Sequence, residues 1–392
     1  MAETVSIRPA RRIKNLPPYL FAEVDRRIGE KRAAGFDVIS LGIGDPDLPS
    51  PAHVVEAAQE AVADPRRHRY PDYYGLPEFR RAIARWYEKR FEISLDPDKE
   101  VIPLIGSKEG IAHMPVAWID PGDVVLVPDP GYPVYSIGTL LANGEPYLMP
   151  LQADRNFLPD LNAIPADVLA KARLLWINYP NNPTAAIAPM EFFEEAVAFG
   201  KRHNILIAHD NAYSDVCYDG YRAPSFLEVP GAKEIGVEFH SLSKTYNMTG
   251  WRSGMVVGNP VAIEALGRVK TNVDSGIFDA VQIASIAALD GDPHWVEERN
   301  ARFQARRDAT IATLRKIGIQ VEPPKASLYI WAPVPPGQKS VDFSLRVLDE
   351  AAVWITPGVG FGANGEGFFR ISLTVPDQRL AEALERLENL KL

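Results

Sequence analysis

"HSLSKTYNMTGWRSG", residues 240–254, decides how this chain is read. A single lysine, Lys244, sits among the hydroxyls of Ser241 and Ser243 and follows the strand-like "VEFHS". A Gly-Trp-Arg follows and ends at Arg252. Lysine is ordinarily a solvated surface residue. A lysine held in a pocket behind a strand can instead form a Schiff base with a carbonyl, and its pKa then governs its nucleophilicity. The serines and Arg252 read either as a loop with incidental hydroxyls or as a phosphate cup, with the guanidinium fork supplying charge-assisted bonds.

Working outward, short apolar runs alternate with helical stretches from about residue 100. "VIPLIG" precedes "SKEGIAHMPVAWI", "VVLVPDPGYP" precedes "VYSIGTLLANG", and "LLWINYPNNPT" precedes "MEFFEEAVAFGKRHN". "ILIAHDNAY", "GVEFHSLSK" and "RSGMVVG" follow. This alternation predicts an α/β fold with a mainly parallel sheet. Helices are expected at 51–63, 77–91 and 295–317, with a final one at 377–390. "SLYIWAPV", "AVWITPG" and "FFRISL" predict strands of a smaller α+β lobe, with which the N-terminal helix ending near Gly35 is expected to pack.

The whole chain, 392 residues with 46% hydrophobic and 24% charged, suits one large domain plus a smaller lobe. A formal net charge of −9 argues against nucleic acid or an anionic membrane as partner. One cysteine, Cys217, allows no internal disulfide. No apolar run is long enough to span a bilayer, and the N-terminus lacks the apolar stretch of a signal peptide, so the expected location is the cytoplasm.

Ligands of open α/β sheets bind at the carboxyl ends of strands, where four further candidates fall. "GSKEG", 106–110, opens a helix after a strand, and helix-start amides favour an anion. Asp210 ends "ILIAHD"; it is a helix cap or a carboxylate facing a protonated ring nitrogen, with Tyr213 three residues on. Asn182 in "NYPNNPT" is a turn former or an amide donor. Arg370, flanked by apolar residues in "FFRISL", is a structural ion pair or a bidentate carboxylate clamp.

Together these segments resemble the fold-type I, pyridoxal-5'-phosphate-dependent aminotransferases of class I/II. "SLSKTYNMTGWRSG" matches that family's lysine signature, and "NYPNNPT", "HDNAY" and "FFRIS" occur in its order. "ARRIKNLPPYLFAEVDRRIGEKRAAGFDVISLGIGDPDLPSP", "GSKEGIAH" and "KTNVDSGIFDAVQ" are similar to the bacterial LL-diaminopimelate aminotransferases of that family. The resemblance implies a large cofactor domain at 46–285 and a small domain made of 1–45 and 286–392. It implies that Lys244 forms the Schiff base and carries the substrate proton. Asp210 would pair with the pyridine nitrogen, and Asn182 and Tyr213 would bond the ring oxygen. Tyr132 would stack on the ring. Ser107, Lys108, Ser241, Ser243 and Arg252 would bind the phosphate, with Tyr70 reaching it from a second subunit of a homodimer. Arg370 would clamp the substrate carboxylate beside Gly44 and Asn182. Tyr19 and Asn272, in loops around 15–21, 70–74 and 271–279, are candidates for reading the substrate side chain. No metal is implied.

The expected reaction is transamination of an L-amino acid, LL-diaminopimelate above all, with a 2-oxo acid such as 2-oxoglutarate, in lysine biosynthesis. Aspartate, alanine or aromatic substrates are the alternative, and a lyase or decarboxylase on the same fold is a third. A non-catalytic regulator that binds the cofactor is a remote one, because only about 40 residues precede "LGIGDPD". A dinucleotide site is disfavoured, since "LGIGDPD" does not lead at once into a helix. Two positions depart from the family's common pattern: Ala185 stands where glycine is usual, and Asn211 where Glu is frequent.

Overall fold

A computed structural model describes residues 7–14, 16 and 21–390. Its strands, in chain order, are β1 (Ile39–Ser40), β2 (Val101–Leu104), β3 (Val124–Asp129), β4 (Glu145–Pro150), β5 (Ala172–Ile177) and β6 (Leu206–Asp210). They continue with β7 (Gly236–Ser241), β8 (Gly254–Gly258), β9 (Tyr329–Pro333), β10 (Val353–Trp354), β11 (Thr356–Pro357) and β12 (Phe368–Ser372). Seven form one sheet in the order β2-β8-β7-β6-β5-β3-β4. Only β8 runs against its neighbours.

The inner strands are apolar almost throughout because helices cover both faces of the sheet. Alternate residues serve opposite faces. Leu174 and Trp176 join Ile111, Met114 and Leu266 on one side. Leu175 and Ile177 join Phe79, Ile83, Phe193 and Val197 on the other. A separate apolar cluster gathers β9 and β12 with the helices His294–Lys316, Ser340–Ala351 and Asp377–Glu388, and takes in Ile39 and Leu41. Ile28 and Val38 pack with Leu348 and Trp354, and β1 pairs with β10. The N-terminal helix therefore packs on the C-terminal lobe, as expected from sequence.

One strand escapes the sequence pattern. β4 reads "EPYLMP", carries two prolines and is largely open to solvent. It lies at the sheet edge, the place where a missing N–H is tolerated. The long helix also differs from its apparent pattern. Arg299, Arg306 and Arg307 point inward and are buried.

Candidate active site

Strand register assembles the anion cradle. Gly254 of β8 is opposite both Leu104 of β2 and Ser241 of β7. The residues after β2, the residues after β7 and the residues before β8 therefore meet at one end of the sheet. Gly106, with φ 71°, caps the helix Ser107–Trp118. A side chain on Gly106 would run into the guanidinium of Arg252, and one on Gly254 would lie 2.7 Å from the Ser107 amide. Both glycines keep that space open in front of helix-start amides that have no partner within the helix. Ser241 accepts a bond from the Ser243 amide at 3.2 Å and so starts the short turn Leu242–Thr245. Arg252 is fixed by its bond to the Thr249 carbonyl at 2.7 Å. Ser107, Ser241, Ser243 and Arg252 thus surround one region. Lys108, one residue into the helix, is exposed to solvent.

Behind this cradle, the buried ammonium of Lys270 bonds Glu109 at 2.9 Å and Asp274 at 3.0 Å. Glu109, His113 and Asp274 converge within 4.8 Å. Lys270 already supplies the positive charge that a metal would bring to them, and Glu109 also accepts from the Ile105 amide.

Lys244 follows β7, and its ammonium donates to the Gly44 carbonyl at 2.5 Å. The residue is only half-buried by its surface, yet the ammonium end lies deep enough that burial pulls its pKa below the usual lysine value. Tyr329 and Asp45 oppose that effect, while Arg370 and Arg252 add to it. Asp210 ends β6 and is 5% exposed. Its Oδ2 accepts from the Tyr135 hydroxyl at 2.7 Å, and its Oδ1 is buried with no partner. Burial raises its pKa to about 6 against the Tyr135 bond and the nearby His209. Asn178 holds the Asp210 carbonyl at 2.7 Å and the Asn182 amide at 2.8 Å, which ties the "NYPNNPT" turn to the aspartate. Ala185 within that turn has φ 56°, the left-handed region that glycine adopts without strain.

Arg370 lies on β12 and is 5% exposed. Its Nη1 donates to Asn182 Oδ1 and its Nη2 to the Gly42 carbonyl, both at 2.6 Å. Its Nε is buried without a partner. The guanidinium lies 4.0 Å from the Tyr329 ring centre and 4.4 Å from that of Phe361. Among the described residues no carboxylate pairs with it, so the ion-pair reading of Arg370 falls. Tyr213 and Tyr329 share a hydroxyl–hydroxyl bond of 3.1 Å. Burial raises the pKa of Tyr213. In Tyr329, burial is outweighed by Arg370, Lys244 and the Tyr213 bond together, and its pKa is lowered.

Six predicted residues fall into two bonded groups: Lys244 bonds Gly44, and Asp210, Asn182, Arg370 and Tyr213 are joined directly or through Asn178 or Tyr329. Tyr132 is half-buried, with its ring centre 5.7 Å from that of Tyr135 and the two rings nearly perpendicular. Tyr70 is 85% exposed. Asn272 is exposed and bonds the Arg268 carbonyl on its own helix. Tyr19 lies outside the described residues. Sequence reasoning missed Tyr135, Tyr329 and Asn178. Tyr135 and Asn178 each lie within a few residues of a strand's carboxyl end, the one signal that marks them.

The site fits pyridoxal 5'-phosphate on three observations. Asp210 Oδ1 is an orphan carboxylate oxygen suited to a protonated ring nitrogen, the two-glycine cradle suits a phosphate, and Lys244 is an amine with a depressed pKa that feels the charge of Arg252. The unpartnered Nε of Arg370 adds a place for a substrate carboxylate.

The family model for aminotransferase class I and II matches residues 37–387. The chain is 56% identical to LL-diaminopimelate aminotransferase of Dehalococcoides mccartyi, over 97% of this chain and 98% of that protein. It is 55% identical to the enzyme of the same name from Aquifex aeolicus, with the same coverage. Among solved structures, substrate-bound BacF from Bacillus subtilis superposes with a TM-score of 0.93 at 39% identity, covering 99% of this chain and 98% of that one. A Thermus thermophilus aspartate aminotransferase mutant gives 0.91 at 28% identity, covering 98% and 99%.

Proposed function

The chain belongs to the aminotransferase class I and II family, whose enzymes work with pyridoxal 5'-phosphate, and we propose that it transfers the amino group of LL-diaminopimelate to a 2-oxo acid such as 2-oxoglutarate, in lysine biosynthesis. The substrate reading is carried by identity above 50%, over nearly the whole chain, to several enzymes of that name.

Ser107, Ser241, Ser243 and Arg252 would hold the cofactor's phosphate. Asp210, Asn182, Tyr213 and Tyr132 would hold its ring. The bound cofactor supplies an electron sink for the pair left on the substrate α-carbon. The chain's own groups do the rest. Lys244 takes the α-proton and returns it, which needs an amine whose pKa is lowered towards working pH. Asp210 holds a negative charge deep in the site. Tyr135 fixes that charge in place, so it acts without reorganisation. Arg370 receives the α-carboxylate, and the Tyr329 and Phe361 rings on its faces leave it little freedom to turn away. The new 2-oxo acid leaves, and a second one takes up the amino group in the reverse half-reaction.

A division into a large domain at 46–285 and a small one at 1–45 and 286–392 is supported by the separate apolar clusters. Two segments cross this division: the one containing Ala212 and Tyr213 packs with the cluster of β9 and β12, and Ala288 and Leu289 pack with the cluster of Phe79 and Phe193. A homodimer is supported by the exposed Tyr70, Val273 and Phe278, which a second copy would cover. In that dimer Tyr70 would serve the neighbouring subunit's phosphate. Co-expressing Tyr70→Ala with Lys244→Ala tests this: mixed dimers carry one intact site, and their activity exceeds that of either parent. A cytoplasmic location is consistent with the absence, among the described residues, of any helix long and apolar enough to cross a membrane.

The substrate is tested by half-reactions followed through cofactor absorbance, with LL-diaminopimelate, aspartate, alanine and tyrosine each as sole donor. Conversion much faster with LL-diaminopimelate is expected. A preference for another donor would move the protein to the aspartate, alanine or aromatic enzymes of the family and overturn the substrate reading.

A further inference from the structure

The turn that carries the reactive lysine is only four residues long, Leu242–Thr245. One backbone bond closes it, from the Tyr246 amide to the Leu242 carbonyl. The carbonyls of Lys244 and Thr245 point out of the turn's end, where a helix leaves its acceptors unpaired. Both are taken by Nη1 of Arg299, from the buried face of the helix His294–Lys316. The Nη2 of the same guanidinium donates to the Asp215 carbonyl at 2.6 Å and to Asn300 Oδ1 at 2.7 Å. Asn300 donates to that Asp215 carbonyl as well, at 2.8 Å. Asp215 closes the loop that begins at Asp210 and carries Tyr213, and the Val216 amide bonds back to the Tyr213 carbonyl at 2.9 Å.

Arg299 is 3% exposed, and among the described residues no carboxylate bonds it directly. The nearest acid, Asp215, directs its carboxylate to Arg90 at 2.9 Å and to Thr245 Oγ1 at 3.3 Å. A buried guanidinium given over to backbone carbonyls is costly, and burial lowers its pKa to about 10 against the pull of Asp215. Surface or charge pairing does not account for such a placement. Its three carbonyl partners lie on the two segments that carry Lys244 and Tyr213.

We infer that Arg299 is a positioning residue for the reaction: its guanidinium fixes the Lys244 turn against the Tyr213 loop, so that amine and phenol keep one mutual geometry. The inference rests on reading Lys244 as the reacting amine. Arg307 provides a matched control on the same helix. It is also 3% exposed, and it bonds Asp219 and the Pro324 carbonyl rather than the lysine turn.

The test compares Arg299→Met, Arg299→Lys and Arg307→Met with the wild type. It measures thermal unfolding, equilibrium affinity for pyridoxal 5'-phosphate, the rate at which borohydride-trappable cofactor appears on Lys244, and kcat and KM. Arg299→Met should slow capture and kcat by about a hundredfold, the effect of a misplacement near 1 Å, while KM and cofactor affinity stay within about threefold. Arg307→Met should lose similar thermal stability yet keep capture and kcat within about twofold. Arg299→Lys, which reaches fewer of the carbonyls, should fall between. If Arg299→Met does not fold, a wild-type capture rate in Arg299→Lys overturns the inference. Equal losses of capture rate in the Arg299 and Arg307 variants would overturn it as well. Failure of the wild type itself to fix the cofactor on Lys244 would instead refute the reading of the lysine, a distinguishable result.

Discussion

Replacing Asp210 by Asn should make the cofactor-free protein gain stability relative to the wild type as pH rises to neutrality, while crippling its chemistry. In the fold the Asp210 carboxyl has a pKa of about 6, against an ordinary 3.8, because burial outweighs the Tyr135 bond. A gap of about two pH units is worth about 3 kcal/mol. The sign follows from which state keeps the proton. Near pH 3 and below, both folded and unfolded chains are largely protonated at this position, and stability is intact. As pH rises towards 6 the unfolded chain ionises first, so the folded state loses stability, and the loss levels off above that. Asn does not titrate. The stability of Asp210→Asn relative to wild type should therefore increase by about 3 kcal/mol between pH 3 and pH 7, whatever its packing cost, because that cost is the same at both ends. Urea unfolding of the cofactor-free proteins across this range measures the difference. A difference that does not change with pH would refute the argument that this carboxylate is held at a loss for the sake of a cationic partner. The same variant should slow substrate Cα deprotonation by orders of magnitude in single-turnover assays.

Other outcomes follow from the same geometry. Lys244→Ala should abolish turnover and leave the far-UV circular dichroism unchanged; measurable wild-type turnover would remove the lysine from the reaction. Arg370→Lys loses the fork that meets Asn182 and Gly42, and should cost about 2 kcal/mol in kcat/KM, mostly through KM, in steady-state assays. Gly106→Ala places a methyl against the Arg252 guanidinium at a backbone with φ 71°. It should weaken pyridoxal 5'-phosphate binding by at least tenfold in equilibrium dialysis, and affect pyridoxal, which lacks the phosphate, far less.

How much of this was legible in the sequence depends on distance along the chain. Lys244, Ser241, Ser243 and Arg252 lie in one fifteen-residue stretch whose residue types already state a chemistry, and the fold leaves them together. Asp210 and Asn182 were legible because strands ended beside them, and strand ends converge in a parallel sheet. Arg370 was ambiguous in sequence. What separates a clamp from an ion pair is the absence, among the described residues, of a carboxylate at its fork, which is a fact about neighbours far away in the chain. Tyr329 was invisible for the same reason. "SLYIWAP" reads as an ordinary strand, and only β12 packing beside it brings Arg370 over the Tyr329 ring. The inward arginines of His294–Lys316 read as a charged helix face, since a buried guanidinium satisfied by carbonyls leaves no trace in hydropathy. β4 was missed because an edge strand needs neither an apolar run nor a full set of N–H groups.

Lys244 is the residue on which the chemistry turns, and one measurement addresses it directly. The protein loaded with pyridoxal 5'-phosphate is reduced with borohydride and digested, and the modified peptide is identified by mass spectrometry. The added mass should lie on Lys244 in the peptide containing "HSLSKTYNM". Modification confined to another lysine, such as the exposed Lys108, or no modification at all, would contradict the site as described.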